Sequence, residues 1–377
     1  MKSNDRPPNL KELGKRLKSV DMLVVALLKR RMDLALQVGE SKLLDGQKIF
    51  RESVESERLE QVRKEAVRVG LSPHFAASML YQAINESCKQ QMIQLQDIDG
   101  RTNKTQLTPD MEYALLKQNL LQLTAAWAPV YDASYDEAFF ATHAYLEFEN
   151  ELLQREIGTL SPGGILVDLG CATGRIAVKL AGLFDRVVGY EISPHMIEVA
   201  RAREGLPENV LFVEADIEQG IAQPDNSVSF VVMNMGTASD VRDIESVLKE
   251  TERVLKVGGK FFFSFYNHDA LLYQWDFIPW PVGLAAEINL HKHCLDVHVG
   301  AEVLSVYARP YTVDEVIKLF PPSLGLFDPL THPTIGAVLP QTLFEGRLAV
   351  QQSVTDIDKL LAESRDGAYI IVMGQKK

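Results

Sequence analysis

From Leu10 to about Leu44, apolar residues recur at Leu10, Leu13, Leu17, Val20, Val24, Leu27, Leu28, Leu34 and Val38. That spacing is helical and predicts one continuous helix of about nine turns. Leu44-Asp45-Gly46-Gln47-Lys48 breaks the pattern. A second helix is predicted from about Ser53 to Val69, stopped by Gly70, and Ser72-Pro73 opens a third that runs to about Gln94. Residues 1–95 thus predict an all-α, three-helix domain. Its first helix is too long to bury its stripe against two shorter neighbours, so pairing with a second copy, a homodimer, is expected.

Asp97 to Thr105 is polar and turn-rich, and residues 96–108 are read as a linker. Beyond it the period changes. After a helical lead-in from Pro109 to about Ile157, short β-branched runs alternate with helical stretches. Strands are predicted at Ile165–Leu169, Arg186–Tyr190, Val210–Ala215, Val228–Met233 and Lys260–Phe265. Helices are predicted at Ile176–Phe184, Pro194–Arg203 and Ile244–Leu255. This alternation predicts an α/β, Rossmann-like domain over 109–377, with a parallel-sheet core at 160–266 and helices on both faces. An insertion over about 267–365 follows, aromatic at first, with a helix near Thr312–Leu319 and a Pro-rich segment to Pro340. Ala368–Met373 is expected to close the sheet.

Composition narrows the function. No apolar run reaches the roughly 18 residues of a membrane span, and Met1 to Lys18 lacks the apolar core of a signal peptide. A cytoplasmic location without membrane association is expected. Cys88, Cys171 and Cys294 are odd in number and far apart, which fits reduced thiols. Of the net charge of −12, residues 1–100 carry 17 Lys/Arg against 14 Asp/Glu, and the remainder 22 against 37. A catalytic half that acidic repels a phosphate backbone, so a small molecule rather than nucleic acid is expected as partner.

The chemistry starts where the first strand ends. Val167-Asp168-Leu169-Gly170-Cys171-Ala172-Thr173-Gly174 delivers a glycine turn to the carboxyl edge of the sheet, where ligands of such folds bind. Gly170 and Gly174 are read as clearing space for a ligand. The spacing is not that of the dinucleotide fingerprint, which argues against NAD(P). Glu191, at the end of the second strand, is placed to accept hydrogen bonds from two ribose hydroxyls.

The stretch Ile165–Phe265 resembles the class I S-adenosylmethionine-dependent methyltransferases. The resemblance implies S-adenosylmethionine as cofactor. It places Asp168 near the methionine part, Glu191 at the ribose and Asp216-Ile217 beside the adenine, with Gly170, Ala172, Gly174 and Ile192 also at the cofactor. Asn234 falls where cofactor and substrate meet, and Arg253 to Gly259 matches the turn into strand 5. Ala172 stands where a glycine is common, and Ser229 where an aspartate is. The acceptor site is expected from the segment before strand 1, with Tyr131 and Tyr135, and from the insertion, with Tyr266, Asn267 and Arg309 beside His268, Tyr273, Trp275, Trp280 and Tyr307. A packed lid is the competing reading of these aromatics. No residue declares itself a general base. His291, His293, Cys294 and His298 match no standard metal spacing, and no metal is expected.

Residues 9–94 resemble the all-helical chorismate mutases through Lys29 to Ala35, Val38 to Lys42, Gly70 to Pro73 and Glu86 to Gln91. That family clamps a dicarboxylate with cations. The resemblance carries Arg31, Lys42, Glu55, Ser87 and Gln91 to site positions, but two expected arginines fall on Val54 and Gly14. Arg51 or Arg58, which share a face of helix 2 with Glu55, is the available replacement for the first, and Lys11 or Lys18 for the second. Active mutase, dimerising or ligand-sensing relic, and a related lyase acting on isochorismate all stay open. The combined reading is a methyltransferase acting on a small chorismate- or prephenate-derived acid. The alternatives are a carboxy-S-adenosylmethionine synthase using prephenate, with Arg175 or Arg309 as carboxylate anchor, and a helical domain that only dimerises or binds an effector.

Overall fold

The computed structural model describes residues 10–44, 52–73, 75–77, 79–80, 83–84, 86–87, 90–91, 109–136, 140–274, 286–289, 292–299, 302–339 and 341–377. The chain divides into two compact units, one built on residues 1–107 and one on residues 108–377 apart from a short exchange near 299–302.

In the first unit the long helix spans Leu10–Leu44 and the second Glu52–Arg68, as their apolar periods predict. Described residues between 73 and 91 are helical as well. The apolar stripe of the long helix is uncovered over its first half: Leu10, Leu17 and Leu27 are 89%, 64% and 63% exposed. Toward its end the helix meets the third segment. A Cβ on Gly39 would lie 2.6 Å from Cγ of Gln91, so glycine there sets the distance between the two helices. The linker at 96–108 lies outside the described residues.

The second unit is an α/β sheet. Five parallel strands, β1 (Ile165–Leu169), β2 (Arg186–Glu191), β3 (Val210–Glu214), β4 (Val228–Met233) and β5 (Leu255–Tyr266), lie in the order 3-2-1-4-5. Side chains alternate between the faces as a period of two requires. Phe261, Phe263 and Phe265 face one core with Val247 and Leu248 of the helix Ile244–Val254. Phe262, Phe230 and Val232 face the other, with Leu152 and Leu153 of the helix Phe140–Ile157. Both faces are covered, which is why these strands are nearly unbroken apolar runs.

Two expectations are corrected beyond β5. The sheet is mixed rather than parallel, because the closing strand Tyr369–Lys376 pairs antiparallel along β5, from Tyr369 opposite Tyr266 to Gln375 opposite Lys260. A full-length antiparallel partner accommodates the unusual length of β5. The insertion, expected as an aromatic stretch followed by one helix, also contains strands. It holds a separate small sheet of Ala286–Asn289, Cys294–Val299 and Glu302–Tyr307, then the helices Val313–Leu319 and Leu348–Leu360. Counting every strand in chain order, these three are β6, β7 and β8, Leu324–Leu326 is β9, Leu330–His332 is β10 and the closing strand is β11. Asp358 anchors the Pro-rich stretch: fully buried, it accepts from the amides of Thr334, Ile335 and Gly336 at 3.1, 2.6 and 2.9 Å.

Candidate active site

The turn after β1 hooks onto β2, with Gly170 N and Cys171 N both donating to Tyr190 O, at 2.8 and 3.0 Å. Gly170 and Gly174 have φ of +72° and +80°. Protein packing adds a requirement of its own. A Cβ on Gly170 would lie 2.5 Å from Thr237 Cγ2, and one on Gly174 2.2 Å from the Phe212 ring. Backbone conformation and protein packing require these glycines. Ala172 also sits at positive φ, 47°, and its amide donates to Glu191 Oε2 at 3.0 Å. Ser193 N donates to Glu191 Oε1 at 2.9 Å. Burial raises the Glu191 carboxyl above its ordinary value despite these bonds.

A cavity of about 310 Å³ opens beyond the ends of β1, β2 and β4. Gly170, Ala172, Glu191, Ile192, Asp216 and Ile217 line it with Tyr266 at the end of β5, and Tyr131 and Tyr135 line it from the short helix Tyr131–Asp136. A smaller compartment of about 40 Å³ shares the glycine turn and both helical tyrosines, and adds Asp168, Arg175 and Asn234. Asp168 is 1% exposed. The Ala177 amide approaches it, but neither oxygen makes a hydrogen bond of good geometry among the described residues. Burial, with Glu149 and Glu191 nearby, raises its carboxyl to about 7. An unsatisfied buried carboxylate beside a glycine turn complements a ligand ammonium, and Glu191 below Ala172 complements ribose hydroxyls. The residues therefore fit an aminoacyl-bearing nucleoside such as S-adenosylmethionine.

Asp216 remains on the cavity wall but is tied elsewhere: Lys117 Nζ lies 2.6 Å from its Oδ2 and 2.7 Å from Glu218 Oε2. Tyr113 adds a bond to Glu218 at 2.6 Å. Burial opposes charge on Glu218, and the bonds from Lys117 and Tyr113 outweigh it, holding its carboxyl below the usual range. Lys117 and Tyr113 belong to the helix Pro109–Trp127, whose apolar pattern gave no sign of a site. Asn234 donates to Glu149 Oε2 at 3.4 Å.

Glu149 was not foreseen. It is 1% exposed on the helix Phe140–Ile157, accepts from Tyr145 OH at 3.0 Å, and burial raises it to about 7. Its signal in the sequence is a carboxylate on the helix's apolar face, one turn from Tyr145 and next to Phe148.

Tyr131 and Tyr135, from the short helix Tyr131–Asp136, bond to each other at 3.0 Å. Arg175 lies 4.0 Å from the Tyr135 ring centroid. Asn267 is not on the cavity: fully buried, it donates to Arg365 O and Gly367 O at 2.8 and 2.7 Å and braces the chain before β11. Arg309 turns away too, stacked 4.5 Å from the Tyr311 ring and 3.4 Å from Glu315. Trp275, Trp280 and His291 lie outside the described residues, as does the side chain of His298. Tyr307 lines the cavity from the small sheet.

In the helical unit Arg31, Lys42, Arg58, Ser87 and Gln91 line a second cavity of about 150 Å³. Arg31 donates to Ser87 Oγ and Ala83 O, and Gln91 Nε2 to Ala35 O at 2.5 Å. Lys42 is 8% exposed. Arg51 and Cys88 lie outside the described residues, as does the side chain of Glu55.

Residues 167–263 match the family model of a methyltransferase domain, and residues 13–92 that of chorismate mutase type II. The ubiquinone/menaquinone biosynthesis C-methyltransferase of Shewanella frigidimarina (strain NCIMB 400) is 29% identical over 164 residues, 41% of this chain and 63% of that protein. The match thus spans less than two thirds of that relative. Among solved structures, a putative S-adenosylmethionine-dependent methyltransferase from Listeria monocytogenes is 16% identical with a TM-score of 0.40, over 59% of this chain and 97% of the other. N-methyltransferase NodS from Bradyrhizobium japonicum WM9, in complex with S-adenosyl-L-homocysteine, is 14% identical with a TM-score of 0.36, over 61% and 86%.

Proposed function

We propose that this chain, which joins a chorismate mutase type II domain to an S-adenosylmethionine-dependent methyltransferase domain, methylates a small chorismate- or prephenate-derived acid in the cytoplasm. The observation that carries it is the unsatisfied, buried Asp168 carboxylate beside a glycine turn, with Glu191 and a 310 Å³ cavity adjoining it. Asp168 would hold the cofactor's ammonium, Glu191 its ribose, and Asp216 with Ile217 would flank its adenine. When bound, the cofactor supplies an electrophilic methyl group. The chain's own part is orientation and exclusion of water: Tyr131, Tyr135 and Tyr266 present aromatic walls to an acceptor in line with that methyl. The Shewanella relative's description as a C-methyltransferase supports a carbon acceptor.

Arg31, Lys42 and Arg58 around one cavity support a dicarboxylate ligand for the helical domain, which would make or sense the acid. The uncovered apolar stripe of Leu10–Leu44 supports a homodimer, with a sedimentation mass of twice 42.1 kDa expected. Arg175, which lines the smaller compartment together with Asp168, is the observation that favours carboxy-S-adenosylmethionine synthesis as a second reading.

Incubation with S-adenosylmethionine and chorismate or prephenate, followed by mass spectrometry of acid and cofactor, separates these. A methylated acid supports the proposal. A carboxylated cofactor selects the second reading, and unmodified cofactor with either acid overturns both.

A further inference from the structure

Four carboxylates line the larger cavity among its described residues: Glu191, Asp216, Glu218 and Asp240. Three are engaged on both oxygens. Glu191 holds two amides, Asp216 holds Lys117 and the Glu218 amide, and Glu218 holds Lys117, Tyr113 and the Asp243 amide. Asp240 differs. Its Oδ2 accepts only a long bond from Tyr266 OH at 3.5 Å, and its Oδ1 is buried with no partner.

Asp240 follows the 3-10 turn Thr237–Ser239, just past β4, so it stands next to Met235 and Thr237, which both compartments share. The groups around it are Tyr266 from β5, Tyr369 from β11 and Glu191 from β2, with Tyr273 of the helix Leu271–Gln274 beside the two tyrosines. They offer no described cation. Resting on the methyl-transfer reading, we propose that Asp240 takes the proton of the methyl acceptor, which reacts through a group bearing a removable proton, a phenolic or enolic hydroxyl. The hydroxyl proton passes to Asp240 Oδ1. The acceptor's electron pair, on oxygen or on the conjugated carbon, forms the bond to methyl carbon. The methyl–sulfur bond breaks with its pair to sulfur, leaving S-adenosylhomocysteine, and Asp240 later returns the proton to water.

Burial raises the Asp240 carboxyl well above its ordinary value, which favours its neutral form in the empty site. A sulfonium in the adjoining compartment favours its charged form, whereas the neutral thioether of S-adenosylhomocysteine does not. The proposal therefore has a signature that needs no known acceptor. Calorimetric titrations near pH 7, in two buffers of different ionisation enthalpy, count the protons released on binding each ligand. The wild type is expected to release up to about one proton more with S-adenosylmethionine than with S-adenosylhomocysteine. Asp240→Asn, shown folded by circular dichroism, loses that excess. A wild type without the excess, or an Asp240→Asn protein that retains it, overturns the assignment. If neither ligand binds, the methyl-transfer reading itself fails. For the acceptor side, 4-nitrophenol titrated into protein saturated with S-adenosylmethionine is expected to bind at least about tenfold more weakly to Asp240→Asn, the loss of one charge-assisted hydrogen bond. Equal affinity, or no binding to either protein, overturns the acceptor assignment.

Discussion

Thr173 Oγ1 donates to Asp132 Oδ1 at 2.6 Å, so the short helix that covers the cavity is tied to the glycine turn beneath it. Arg203 completes the latch, bonding Asp132 Oδ2 and, at 2.6 Å, Thr173 O. Opposite it, Lys117 and Tyr113 hold the preceding helix to Asp216 and Glu218. The segment from Tyr113 to Tyr135 is thus a strap fastened by polar bonds, over a site a cofactor has to enter.

Asp132→Ala is expected to weaken S-adenosylhomocysteine binding roughly three- to tenfold, because Asp132 is partly exposed and such pairs contribute modestly. Isothermal titration reads the change. Unaltered affinity would mean that the strap does not shape the bound site.

Glu191→Gln is expected to cost more, on the order of a hundredfold in cofactor affinity, if the carboxylate takes two ribose hydroxyls. Because Glu191 also holds the amides of Ala172 and Ser193, the melting temperature of the empty protein should be measured alongside. A variant with lowered melting temperature and undiminished affinity would reduce Glu191 to a structural role.

The sheet and its glycine turn were legible because β1 to β5 are continuous apolar runs and periodicity is a local property. The buried polar groups around the cavity were not. Glu149 and Asp240 act through burial, which depends on what packs over them, and Lys117 reaches Asp216 across 99 residues. Arg309 and Asn267 failed for the same reason: being polar and near a strand end does not set where a side chain turns. Arg309 found Tyr311 and Glu315 within its own segment, and Asn267 found two carbonyls.

Asp168 and Glu149 give the site a pH dependence of definite sign. Both carboxyls are raised by burial to about 7 in the folded protein, above ordinary values of 3.8 and 4.5 in the unfolded chain. Folding therefore retains protons that the unfolded chain releases, and stability from this source falls as pH rises from about 4 to about 7. Each fully shifted group accounts for about 3–4 kcal/mol. Chemical denaturation should show a wild type that loses stability over that window relative to Asp168→Asn. Cofactor affinity should run the other way, tightening as pH rises through 7, since an ammonium needs the ionised carboxylate. A flat affinity profile from pH 6 to pH 8 would remove Asp168 from the ammonium site.

The helical unit poses the question of which guanidinium replaces the one that Val54 lacks. Arg58 lies one turn further along the helix Glu52–Arg68 and lines the same cavity as Arg31 and Lys42. A dicarboxylate there would meet three cations, and Ser87 and Gln91 would supply the polar remainder. Gln91 Oε1 is buried without a partner, so it is placed to accept from a ligand hydroxyl. Arg58→Ala is expected to weaken chorismate binding at least about tenfold, the typical loss of one charge-assisted contact, and Arg58→Lys to restore only part, because a point charge cannot replace a bidentate fork. Titration calorimetry measures binding, and absorbance loss of chorismate measures turnover. Binding that depends on Arg58 without turnover would identify a sensing domain, turnover a mutase, and binding indifferent to Arg58 would return the role to another residue.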